Sequence, residues 1–128
     1  MTGLIWLIQT LHYPAYTFIA ADKFATFHAF HSKTITYIVG PIMTIELISG
    51  FYILYQSHMN IYAVLNLLSI IFIWLATALL SVPTHNKLSL GYSLKHIQFL
   101  VSTNWIRTLL WTLRSLLIIY CILFLKGI

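Results

Sequence analysis

Four apolar runs, each of about the length that crosses a bilayer and each closed by polar residues, constrain this chain more than any other feature. A membrane helix needs about 20 predominantly apolar residues. The runs cover roughly 3–20, 34–55, 61–82 and 103–125. They nearly exhaust the 128 residues, so a single transmembrane domain over 1–128 is expected and no separate soluble domain fits. Composition agrees: 60% of residues are hydrophobic and 7% charged, where a soluble domain carries about a quarter charged. The expected fold is an all-α integral membrane four-helix bundle with short interfacial helices in connections 1 and 3.

The link 56–60 is too short for anything but antiparallel neighbours on either side. Pro83 is expected to end the third run. Residues 22–33 place Phe24, Phe27, Phe30 and His31 at helical spacing and read as an interfacial helix. Residues 83–102 leave room for another. The first run has no basic segment before it and holds Gln9, His12 and Pro14 in its middle, which fits a permanent span better than a cleaved signal.

Seven basic residues face two acidic ones, a formal charge of +5, and the basic residues form no run. A nucleic-acid footprint needs a clustered patch, so that class of partner is excluded; membrane lipids and a lipophilic small molecule are the expected ones, with a homo-oligomer or larger membrane complex left open. Lys23, Lys33, Lys87 and Lys95 fall in connections 1 and 3, which the positive-inside rule assigns to the cytoplasm with both termini outside. Lys126 pulls the other way. The one cysteine, Cys121, allows no intramolecular disulfide.

Polar residues inside the apolar runs carry the functional argument. Gln9, His12, Tyr13 and Tyr16 share one helical face, and Asn104, Arg107, Thr108, Trp111, Arg114 and Ser115 form a longer stripe in the last run. Glu46 is the sole acid inside a span. At 1.5 Å per residue it lies roughly 18 Å from the basic face, Arg114 roughly 16 Å and His12 roughly 12 Å. An isolated charge near the bilayer centre costs at least about 2.5 to 3.5 kcal/mol, so a Glu46–Arg114 pair is expected. Arg107, one turn from the boundary, is free to snorkel. Gly40-Pro41 suggests a kink. The third run looks mainly like scaffold.

His28 and His31, at i and i+3, put both imidazoles on one face. With His12, His85 and His96 they form a candidate metal set, because neutral imidazole suits iron, copper or zinc. Glu46, Arg107 and Arg114 are the candidate catalytic groups; Tyr13, Asn104 and Trp111 are candidates for substrate contact. Each has a plainer reading: interfacial imidazoles facing water, a helix end at His85, a solvated loop residue at His58, and a structural Glu46–Arg114 pair. Tyr52, Tyr55, Tyr62 and Trp105 lie near span ends, where aromatic rings favour the interface.

The series His12-Tyr13-Pro14, Phe27-His28-x-x-His31, Pro41-x-Met43-x-x-Glu46, Pro83-x-His85-x-x-Leu88 and Thr103-Asn104-Trp105-Ile106-Arg107-Thr108, with Trp111 and Arg114, resembles an uncharacterised group of small bacterial four-span membrane proteins over nearly the whole chain. It is more distantly similar to the anthrone oxygenase-like membrane proteins. The first resemblance implies a bacterial inner membrane; the second implies oxidation of a lipophilic aromatic and assigns no residue. The leading expectation is a membrane-embedded, metal-dependent oxidoreductase for a lipophilic substrate, with its site in the cytoplasm-facing half. The alternatives are a haem-binding or electron-transfer protein, and a transporter or assembly subunit.

Overall fold

The first two helices are separated by only Ile19 and Ala20, both in extended conformation. Helix α1 covers residues 2–18, α2 Ala21–Gln56, α3 Ile61–Leu88 and α4 Leu94–Phe124. These are the elements of a computed structural model that describes residues 1–124; among them there is no strand. The expected end of the last span at Leu125, and Lys126 beyond it, lie outside the described residues.

Three helices, α2, α3 and α4, are long and apolar enough to cross a membrane. Helix α2 has 36 residues, roughly 54 Å at the standard rise, well beyond the approximately 30 Å hydrocarbon core. Large apolar side chains along it, among them Ile45, Ile48, Phe51 and Tyr52, point outward, as do Leu113, Leu116 and Ile122 on α4. Continuous apolar faces of this extent suit a lipid environment. Helix α1 is shorter and interrupted, and it is not among the three.

The connections differ from the sequence reading. Residues 22–33 are the first turns of α2, and residues 94–102 the first turns of α4, so neither connection holds a separate interfacial helix. Hydropathy marks where apolar character stops, whereas the backbone hydrogen-bond ladder continues through Lys, Gln and Leu, all good helix formers. The link after α2 is as short as expected: His58 and Met59 take positive φ, and Asn60 caps α3 by accepting from the Tyr62 amide at 2.9 Å. After α3 the chain turns through 89–93, where Gly91 at φ 145° takes a conformation that side chains resist.

Pro83 does not end α3. A π-helical turn, Thr77–Ser81, precedes it, and helix continues from Val82 to Leu88. The same device stands in α1: a π turn over Ile8–His12, one residue, then Pro14. Proline has no amide hydrogen and its ring strikes the carbonyl four residues back. Widening the turn to an i→i+5 pattern relieves both, at the cost of one inserted residue. Pro41 lies within an uninterrupted α2.

Helix α1 runs antiparallel to α4. Thr2 Oγ1 donates to the Trp111 carbonyl at 3.2 Å, Trp6 Nε1 to Thr112 Oγ1 at 3.0 Å, and Gln9 Nε2 to the Val101 carbonyl at 3.1 Å. Helix α2 closes on α3 at Gly50, where an added Cβ would stand 2.6 Å from Ile70 Cδ1. The buried core joins Ile5, Tyr16, Phe24, Ile73, Leu100 and Trp111 from all four helices.

Candidate functional site

Two polar centres sit inside the helix assembly. One is the expected ion pair: Arg114 Nη1 lies 2.9 Å from Glu46 Oε1. Trp111 Nε1 donates to Glu46 Oε2 at 2.9 Å, and Arg114 Nε donates to Asn66 Oδ1 at 2.9 Å. The Met1 amine is 4.0 Å from the same carboxylate. Glu46 therefore meets two cations and an indole donor. The pairing is the one expected from sequence, where both residues lie at similar distances along helices whose rise per residue is constant.

The second centre gathers histidines. His12 comes from the π turn of α1, His28 and His31 from one face of α2, and His85 from the helix that follows the π turn of α3. His12 Nε2 and His31 Nδ1 are 2.7 Å apart, and His28 Nε2 and His85 Nδ1 are 3.0 Å apart. The His31 and His85 rings stack with centroids 5.9 Å apart. Tyr16, fully buried, stands edge-on to His28 and His31. His28 Nδ1 and His31 Nε2 are buried with no hydrogen-bond partner among the described residues.

A chain of hydrogen bonds leaves this cluster toward α4. His85 Nε2 is 3.1 Å from Tyr13 Oη, and Arg107 Nη2 donates to Tyr13 Oη at 3.3 Å. Arg107 Nη2 also donates to Asn104 Oδ1. Asn104 Nδ2 donates to Gln9 Oε1 at 2.7 Å. Arg107 has no lone pair to offer, so the Tyr13 oxygen accepts from it and has its own proton to give His85 Nε2. A neutral His85 then carries hydrogen on Nδ1 and donates to His28 Nε2. A neutral His28 in turn carries its hydrogen on Nδ1, the unpartnered atom.

Between the two centres lies a cavity of about 220 Å³ whose wall includes Tyr13, His85, Arg107, Met43, Trp74 and Trp111. His85 also borders an outer cleft of about 250 Å³ with His28, Ser32, Thr36, Asn86 and Ser89. His85, with Ile35, Thr36 and Val82, thus borders both the cleft and the cavity.

The structure brings together His12, His28, His31, His85, Tyr13, Arg107 and Asn104, and separately Glu46, Arg114 and Trp111. His96 joins neither: its Nδ1 is 2.9 Å from Ser93 Oγ, and it lines a different pocket with Thr84, Lys87, Lys95 and Gln98. Sequence spacing could not separate it from His85, because the turn at 89–93 sends the two residues onto different helices. Arg107 does not snorkel; it is 6% exposed and held by Tyr13 and Asn104. Helix α3 is more than scaffold, since it supplies Asn66 and His85. A polar residue in an otherwise apolar run was the available signal for Asn66. Gln9 and Thr108 lie on the polar stripes read from the sequence, whereas Trp74 had no such distinguishing pattern.

Among the described residues, no three His, Cys, Asp or Glu side chains stand ready around a common point as a metal would require. The imidazoles are paired by hydrogen bonds instead.

The fold and its two centres define an all-helical protein of membrane character with a buried histidine cluster. No protein-family model, no curated protein and no solved structure matches the chain.

Proposed function

We propose that this protein is a membrane-embedded oxidoreductase acting on a lipophilic substrate, with His12, His28, His31 and His85 taking up a transition metal ion. The observation that carries the reading is the convergence of four imidazoles from three helices, one of which, His85, lies on the wall of the cavity between the two centres. Metal uptake would exchange the two imidazole–imidazole hydrogen bonds for bonds to the ion. Breaking the His28–His85 bond would free the lone pair of His28 Nε2, and the unpartnered His31 Nε2 could turn toward the ion. Side-chain rotation about staggered wells is enough for that exchange. Bound there, iron or copper would supply Lewis acidity and an electron acceptor, and zinc Lewis acidity alone. His85 and Tyr13 would move protons between the cavity and the outer cleft, because each is hydrogen-bonded on both sides. Glu46 and Arg114 serve as the brace that holds α2 against α4, and His96 has no part in the site.

A haem reading is less favoured, since imidazoles 2.7 and 3.0 Å apart leave no room for an iron and its macrocycle between them. For the same reading we propose that α1 completes a four-helix membrane bundle and that the end bearing Lys23, Lys33, Lys87 and Lys95 faces the cytoplasm of a bacterial inner membrane. Elemental analysis of detergent-purified protein loaded with iron, copper or zinc tests the metal. About one ion per chain is expected, lost in His28→Ala and in His31→Ala. Metal content unchanged in both variants, or no uptake by the wild type, refutes the proposal.

A further inference from the structure

Arg107 is a buried cation without a counter-ion among the described residues. It is 6% exposed, and its hydrogen bonds go to a phenol and an amide, both neutral. The chain has only two acids. Glu46 is bound to Arg114, and Asp22 stands exposed at the start of α2. Arg107 Nε is buried with no hydrogen-bond partner among the described residues. An unpaired charge in a low-dielectric interior is strongly unfavourable, and guanidinium does not escape the cost by losing its proton.

That side chain lines the interior cavity. The same wall carries Ile5, Ile8, Val39, Met43 and Trp111, with Thr77 and Ser81 from the π turn of α3. Trp74 adds a second donor: its Nε1 is also buried and unpartnered. A cavity of about 220 Å³ is larger than the roughly 150 Å³ void that accommodates the six carbons of benzene. It has room for of the order of eight carbons.

We propose that this cavity binds an amphiphilic carboxylate, a single anionic head on a short apolar tail, with the head on Arg107 and the tail between α1, α2 and α3. Three features select that class. Arg107 is the one guanidinium on the wall and neutralises one negative charge, the Met1 amine being drawn to Glu46 at 4.0 Å, so a dianionic phosphate ester would carry an uncompensated charge into the interior. Unpartnered N–H groups need acceptor oxygens, which a carboxylate has and a hydrocarbon lacks. Most of the remaining wall offers apolar contact, from Ile5, Ile8, Val39, Met43 and Val82 among others. This deepens the proposed function by naming the substrate's class, yet it rests on Arg107 and not on the histidines.

The test is calorimetric titration of octanoate into protein held in nanodiscs of zwitterionic lipid, with empty nanodiscs and octanamide as controls. Saturable binding near one octanoate per chain is expected, with octanamide weaker by roughly ten- to a hundredfold, the range of a hydrogen bond to a charged group. Arg107→Gln should lose that preference, and Arg107→Lys should recover part of it. Should Arg107→Gln fail to fold, Val39→Phe, which fills the cavity without touching Arg107, should abolish octanoate binding. Equal binding of octanoate and octanamide, or octanoate binding unchanged by Arg107→Gln or Val39→Phe, overturns the inference. Metal content separates the two proposals: His28→Ala should bind octanoate normally while losing its metal, and Arg107→Gln should keep the metal while losing the carboxylate.

Discussion

Replacing Glu46 with glutamine should cost about 3 to 5 kcal/mol of stability, the range for breaking a buried pair by removing one partner. The reason lies in what remains. Arg114 is 8% exposed, and its other partner is the neutral Asn66 oxygen, so without the carboxylate it is left as a lone cation. Trp111 Nε1 keeps an acceptor in the glutamine carbonyl, so the loss is chiefly of charge. Arg114→Met should cost less, about 2 to 3 kcal/mol, because Glu46 retains the Trp111 hydrogen bond and the Met1 amine at 4.0 Å. If the two changes were independent, the double variant would lose about 5 to 8 kcal/mol. It should instead lose about 2 to 4 kcal/mol, the combined effect of leaving Asn66 and Trp111 poorly partnered once no charge is stranded. The resulting coupling of about 3 to 4 kcal/mol is measurable by reversible unfolding in mixed micelles, followed by helical circular dichroism. Additivity within about 0.5 kcal/mol would show that the pair does not act as a unit and would refute the reasoning.

Two more outcomes follow from contacts elsewhere. Gly50→Leu should destabilise the protein by about 1 to 3 kcal/mol in the same unfolding assay, because even a Cβ there meets Ile70 Cδ1 at 2.6 Å and the fully buried isoleucine has little room to yield; unchanged stability would mean that α2 and α3 do not approach so closely. Tyr13→Phe removes the oxygen between Arg107 and His85 and should lower stability by about 1 to 3 kcal/mol, leaving His85 Nε2 unsatisfied and Arg107 Nη2 with Asn104 alone, with a loss below about 0.5 kcal/mol counting against the continuous hydrogen-bond chain.

Much of the Glu46–Arg114 centre was legible in the sequence. One acid and one well-placed arginine at matching depth leave little choice of partner, and the stripes on α1 and α4 meet as their periodicity suggested. The histidine centre was legible only in part. His28 and His31 share a face by spacing alone, but their partners His12 and His85 owe their positions to the two π turns. Each inserted residue rotates everything after it by about 100°, and nothing in a helical wheel announces it. A proline two residues beyond each turn was the one visible sign, and it reads equally well as a helix end.

Sequence by itself determined the solvent and the secondary structure. Apolar runs of membrane length admit only helices with internally satisfied backbones, and the scarcity of charge made each buried one consequential. Only the tertiary structure decided where helices continue past the apolar runs and which histidines meet. It also decided that Arg107 turns inward to a cavity with no acid beside it. Those outcomes depend on distances between residues far apart in the chain, set by packing at places such as Gly50 and by the π turns. A local pattern of hydrophobicity carries no record of either.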